Sequence, residues 1–161
     1  RFTITVPFTI VDRAEAEPLL PVKESGIEEF GLKGKQILVA EDNEINMEIL
    51  TECLSTAGAR VIQAWNGREA AELFASMEEG SVDAILMDMQ MPEMDGCEAC
   101  ERIRSMNRTD AKTVPVIAVT ANAFAEDIAR TTKAGMNGHI AKPIDFKVLA
   151  QVLRKIFDQM V

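Results

Sequence analysis

The chain has 161 residues, 47% of them hydrophobic, which suits one packed domain with a small appendage and is too apolar for a disordered chain. Its net charge of −9 excludes a direct grip on nucleic acid, which needs clustered Lys and Arg, and favours cations or basic partner surfaces instead. No apolar run reaches membrane-spanning length and no signal-peptide pattern opens the chain, so the fragment is expected to be soluble.

Arg1 to Ile10 alternates, with Phe2, Ile4 and Val6 on one side and Thr3 and Thr5 on the other. That pattern reads as a half-buried strand. No hairpin partner follows it, and a lone strand is not stable in water, so residues 1–10 read as the last strand of a preceding domain. Residues 11–33 carry acids, prolines and glycines without a sustained period and read as a linker. The globular domain is expected over 34–161.

From there strands and helices alternate. Gln36 to Ala40 is a buried strand that runs into Glu41-Asp42-Asn43. Glu44 to Ala57 is a helix whose apolar stripe is read as Ile45, Ile49, Cys53 and Ala57, with Leu50 and Leu54 beside it and Gly58 closing it. Arg60 to Ala64 is the second strand. Asn66 caps the next helix, whose core face is Ala70, Leu73, Phe74 and Met77. Val82 to Met87 is the third strand and ends at Asp88. Asp95 and Glu98 form a capping box that starts a helix reaching about Met106. Val114 to Val119 is the fourth strand and ends at Thr120. Asn122 to Lys133 is a helix marked by Phe124 and Ile128. Gly138 to Ala141 is a short fifth strand ending at Lys142-Pro143. Asp145 caps a last helix with Val148, Leu149, Val152, Leu153 and Ile156 as its core face.

Five β-α units of regular length imply an α/β fold: a doubly wound parallel sheet with helices on both faces. Right-handed crossovers leave the flavodoxin-like (βα)5 order 2-1-3-4-5 as the expected one, with a switch point between strands 1 and 3. In that order the strand ends share one edge. Strand 1 brings Glu41 and Asp42, strand 3 Asp88, strand 4 Thr120 and strand 5 Lys142. Any one of these residues alone reads as a cap or a solvated charge. Together they are complementary. Three crowded carboxylates repel unless a cation sits among them, and all-oxygen donors suit Mg²⁺, with Mn²⁺ as the alternative. A lysine and a hydroxyl beside them suit an incoming phosphate dianion. A nucleophilic Asp there gives an acyl phosphate.

The three cysteines, Cys53, Cys97 and Cys100, form an odd, sparse set that suits a reducing, cytoplasmic setting. Cys97 and Cys100 have CxxC spacing, but no second pair and no nearby His completes a metal site. They read as two small apolar residues one helical turn apart.

The motifs Ile37-Leu38-Val39-Ala40-Glu41-Asp42-Asn43, Met87-Asp88-Met89-Gln90-Met91-Pro92-Glu93-Met94-Asp95-Gly96, Val119-Thr120-Ala121 and Lys142-Pro143 resemble those of response-regulator receiver domains of two-component systems. The resemblance covers about Lys35 to Met160. It implies that Asp88 is the phosphoacceptor. It implies that Asp42 and Asp88 bind Mg²⁺ directly, that Glu41 acts mainly through water, and that the Gln90 backbone carbonyl completes the protein ligands. It also implies that Thr120 and Lys142 contact the phosphoryl group and that the Lys142–Pro143 peptide is cis. The ring position that switches in the family falls on His139, the one histidine of the chain, and a ring packed against the last helix is the plainer expectation there. The resemblance implies a histidine kinase dimerisation domain or a His-containing phosphotransfer protein as partner. Arg1-Phe2-Thr3-Ile4-Thr5-Val6-Pro7 looks like the closing strand of a kinase ATPase domain, so the parent is expected to be a hybrid histidine kinase, soluble or membrane-anchored.

The competing expectation is a receiver-fold docking module that regulates a kinase core largely independently of phosphorylation. An Asp-nucleophile phosphatase fits less well, because the position two after Asp88 is Gln90, which cannot serve as a general acid. A flavin site is disfavoured by the anions Glu41 and Asp42 after strand 1.

Overall fold

The structure, a computed structural model, describes residues 31–121 and 125–160. The stretches richest in Ile, Leu and Val form the strands: β1 Gln36–Ala40, β2 Arg60–Ala64, β3 Ala84–Asp88, β4 Val116–Thr120 and β5 Gly138–Ala141. Helices connect and follow them: α1 Glu44–Thr56, α2 Gly67–Ser76, α3 Gly96–Arg104, α4 Ala125–Lys133 and α5 Phe146–Gln159. All strand pairs are parallel, in the order β2-β1-β3-β4-β5. The register pairs Ala40 with Met87, Asp88 with Val119, and Thr120 with Ala141, which sets the C-terminal ends of β1, β3, β4 and β5 level.

Each face of the sheet buries its own core. Leu38, Ile85, Met87 and Ala118 pack with Phe74 of α2 and with Cys100 and Ile103 of α3. Val39, Leu86, Ile117 and Val119 pack with Leu50 and Leu54 of α1 and with Leu149 and Leu153 of α5. Central strands β3 and β4 are buried along their whole length, as a sheet covered on both sides requires. Among the described residues no helix is long and apolar enough to cross a membrane.

Local chemistry starts the helices where the caps lie. Asn43 Oδ1 accepts from the Asn46 N–H at 3.1 Å, and Asn66 Oδ1 from the Glu69 N–H at 2.8 Å. Asp95 and Glu98 complete the capping box. Gly58 ends α1 with φ +87°, and a Cβ there would also press on the Lys33 backbone. Leu32, within the stretch read as linker, is fully buried against the α1 and α5 core.

Several element readings need correction. On α1 the buried stripe is Met47, Leu50 and Leu54, whereas Ile45 and Ile49 are 67% and 53% exposed. The physical reason is that α1 carries two apolar stripes and only one can face the sheet. On α5 Ala150 lies in the core and Val148 is exposed. Strand β3 runs from Ala84 through Asp88 rather than from Val82 to Met87, with the Asp83 carboxylate engaged by the Gln36 N–H and Lys35. Strand β4 begins after Pro115, which lacks an N–H to give the ladder, and it includes Thr120. Helix α3 stops at Arg104, short of Met106. The strand read over 1–10, the linker through residue 30, and Asn122 and Phe124 lie outside the described residues.

Candidate phosphoacceptor and cation site

Asp88 is the last residue of β3 and only 4% exposed. Gly96 folds the following loop tightly over it: a Cβ at Gly96 would collide with the Asp88 carbonyl oxygen. The Gln90 N–H donates to Asp88 Oδ1 at 3.2 Å, and Lys142 Nζ to Oδ2 at 2.8 Å. Lys142 leaves β5 through a cis peptide to Pro143, as the resemblance implies. Its ammonium also lies 2.9 Å from Glu41 Oε2. Lys142 thus stands between two acids from neighbouring strand ends.

Glu41 is almost fully buried. Its Oε1 accepts from the Asn43 N–H at 3.1 Å and from Asn46 Nδ2 at 3.3 Å. Its Oε2 is at ion-pair distance from Lys142 but off the hydrogen-bonding direction, so that buried oxygen keeps lone pairs unused. Asp42 beside it is exposed. Glu41, Asp42 and Asp88 each offer one oxygen, and these lie within 4.8 Å of one another. They edge a cleft of about 290 Å³ also lined by Asn43, Asn46, Gln90, Ala121 and Lys142. The donors are hard oxygens, one with spare lone pairs, so the residues present fit a small divalent cation.

The electrostatics follow from this crowding. Burial pushes the Asp88 carboxyl above its usual range, hydrogen bonds from Lys142 and the Gln90 N–H pull it down, and the Glu41 charge pushes it up again. The net direction is upward. Burial alone would lower the Lys142 ammonium, but the hydrogen bond to Asp88 and the close negative charges of Asp88 and Glu41 outweigh it, and Lys142 is held above its usual value. Lys142 is therefore a firmly fixed cation, but one ammonium faces the three carboxyl groups of Glu41, Asp42 and Asp88, so the cleft is short of positive charge.

Thr120 is buried at the end of β4, and its carbonyl accepts from the Lys142 N–H at 2.8 Å. It stands level with the cleft without lining it. His139, on β5 opposite Ala118, is exposed and away from the cleft, which corrects the reading of a ring covered by the last helix. Asn43 and Asn46 are site residues that motif reading did not assign. Their signal was an Asn at the helix cap and a second Asn three residues on. Cys97 and Cys100 are buried on α3, and burial pushes both thiols up, Cys100 to about 11. They belong to the core, not to a redox or metal site.

Comparisons with known proteins agree with this geometry. Residues 37–154 match the model of the response regulator receiver domain. Hybrid signal transduction histidine kinase H of Dictyostelium discoideum is 39% identical over 139 residues, covering 84% of this chain and 10% of that protein. The chain therefore spans about a tenth of the length of that relative. The receiver domain of a sensor histidine kinase from Pseudomonas aeruginosa PAO1, solved with a magnesium ion in its active-site cleft, is 34% identical. It superposes with a TM-score of 0.70 over 78% of this chain and 98% of that one. A receiver domain from Saccharomyces cerevisiae, co-crystallised with a histidine phosphotransfer protein, is 26% identical, with a TM-score of 0.70 over 80% and 92% of the two chains. With the strand order, the acidic cleft and the matched family model in agreement, the chain belongs to the response regulator receiver family and is a receiver domain of a two-component phosphorelay.

Proposed function

We propose that Asp88 is the residue that receives the phosphoryl group, from a phosphohistidine on a histidine kinase or on a His-containing phosphotransfer protein. The observation that carries this reading is the convergence on one buried strand-end carboxylate: Lys142 at 2.8 Å, with Glu41 and Asp42 in a triad spanning 4.8 Å. In the step, an Asp88 carboxylate oxygen attacks phosphorus, the P–N bond to the donor imidazole breaks, and the imidazole takes up a proton. An acyl phosphate results. Lys142 is placed to exchange its Asp88 contact for a phosphoryl oxygen, so its charge serves the acid first and the phosphate afterwards. Asp42, Asp88, Glu41 and the Gln90 carbonyl would hold a Mg²⁺ ion, or Mn²⁺ in its stead. When bound, the ion neutralises charge on the phosphoryl oxygens.

The partner surface lies next to the cleft. Ile45 and Ile49 stand one turn apart on the exposed face of α1. Beside them a recess of about 160 Å³ is lined by Asn46, Ile49, Leu50, Lys142, Pro143 and Ile144. An apolar shelf at the rim of a charged cleft suits the face of a partner that presents a phosphohistidine. Phosphorylation adds about −1.5 to −2 charge. Thr120 then moves inward to supply its hydroxyl to the phosphoryl group, and the surface of α4, β5 and α5 rearranges with it, with His139 as the exposed ring position coupled to the change. The parent chain is read as a cytoplasmic-facing hybrid histidine kinase.

The test is transfer of labelled phosphate from a phosphohistidine-loaded phosphotransfer domain. The reading expects label on the wild-type chain, none on Asp88→Asn, and none with EDTA. Label that persists on Asp88→Asn contradicts it.

A further inference from the structure

A carboxylate at the end of a strand can turn about its last bonds, and how it turns decides which oxygens face a cation. Among the described residues, Glu41 is held by two hydrogen bonds besides its ion pair. One comes from the Asn43 backbone at 3.1 Å and cannot be lost by substitution. The other comes from the Asn46 side-chain amide at 3.3 Å. Both land on Oε1, which leaves Oε2 without a hydrogen bond beside Lys142. The Asn46 backbone is itself fixed, because its N–H donates to the Asn43 cap at 3.1 Å. Asn46 therefore reaches Glu41 from a pinned first turn of α1. It also forms part of two walls at once, that of the acidic cleft and that of the apolar recess beside Ile49 and Pro143.

We infer that Asn46 is the positioning residue of the cation site: its amide fixes one oxygen of Glu41 and so keeps the other available to a divalent cation or its water. The inference rests on the reading of Glu41, Asp42 and Asp88 as the cation ligands. Without that amide, Oε1 keeps only the Asn43 N–H, and Glu41 can turn further toward Lys142. That turn withdraws the carboxylate from the cation and holds the lysine away from the phosphoryl group. Groups that orient a metal-binding carboxylate typically matter by about 10- to 100-fold in affinity, and a single long hydrogen bond belongs at the low end.

The experiment is calorimetric titration of the 161-residue chain with MgCl2, with melting curves recorded in EDTA. Asn46→Ala is expected to weaken Mg²⁺ binding about tenfold while the metal-free melting temperature moves by less than about 2 °C. Asn46→Gln keeps an amide donor and is expected to bind within about threefold of wild type. Phosphorylation by a small phosphodonor is expected to slow in Asn46→Ala at low Mg²⁺ and to recover at saturating Mg²⁺. Unchanged Mg²⁺ affinity in Asn46→Ala overturns the inference, as does Asn46→Gln binding as weakly as Asn46→Ala. A wild-type chain that binds no Mg²⁺ overturns the cation-site reading itself, and the inference falls with it.

Discussion

Ile45 and Ile49 give the sharpest test of how the partner is engaged. They are 67% and 53% exposed, so they contribute little to the fold and leave most of their apolar surface to be covered on docking. Fully burying an Ile is worth about 2.5 kcal/mol. Scaled by those exposures, Ile45 has about 1.7 kcal/mol to gain on complete coverage and Ile49 about 1.3 kcal/mol. Truncation to Ala removes most of that, which is about tenfold in affinity at each site. The two lie one turn apart on one face of α1, close enough to couple, so the double variant is expected to lose about 30-fold rather than the full product. The assay compares kcat/KM for phosphoryl transfer from a phosphohistidine donor with the rate from a small acyl-phosphate donor, which needs no docking. Ile45→Ala/Ile49→Ala should lower the first about 30-fold and leave the second within about twofold. A loss under about threefold with the protein donor would refute the docking face. An equal loss with both donors would place the defect in the cleft instead.

Two further outcomes follow from the charges and the packing. Asp88→Asn is expected to raise the melting temperature by about 2–5 °C at neutral pH, while Lys142 keeps Glu41 as its partner. The sign follows from linkage. An acid whose folded pKa is raised contributes most below its unfolded pKa and loses that contribution as pH rises through its folded pKa. The advantage of the neutral amide over the native Asp88 carboxylate should therefore fade as pH falls through the folded-state pKa, and melting curves over a pH series check it. Arg104 donates to the carbonyls of Ala111 and Val114 at 2.8 Å each and to Gly135 at 2.9 and 3.0 Å, tying α3 to the segments around β4 and β5. Arg104→Met should cost about 2–4 kcal/mol in urea unfolding, with Mg²⁺ affinity unchanged; a cost below about 1 kcal/mol would contradict the clamp.

The strand order and the meeting of Glu41, Asp42, Asp88 and Lys142 were legible in the sequence because both follow from short-range signals. Apolar runs marked the strands, and right-handed crossovers left few orders for them. Once the order is set, the residues after each strand have nowhere to go but one edge. Helix faces were less legible. On α1 the Ile45–Ile49 stripe and the Met47–Leu50–Leu54 stripe have similar hydrophobicity, and periodicity alone cannot say which meets the sheet. The misread stripe is the one the docking proposal uses. Side-chain pairings within the cleft were illegible for a different reason. That Lys142 bridges Glu41 and Asp88, and that Asn46 holds Glu41, depends on directions set by the folded loops, which spacing does not encode.

The central claim is that Asp88 carries the phosphoryl group and that the cation cleft enables it. The most direct measurement is the intact mass and peptide map of the chain after incubation with Mg²⁺ and a small acyl-phosphate donor. One phosphoryl adduct is expected, labile to base and hydroxylamine, mapped to the peptide containing Asp88 and absent in Asp88→Asn or without Mg²⁺. An adduct that survives Asp88→Asn, or forms equally in EDTA, would contradict it.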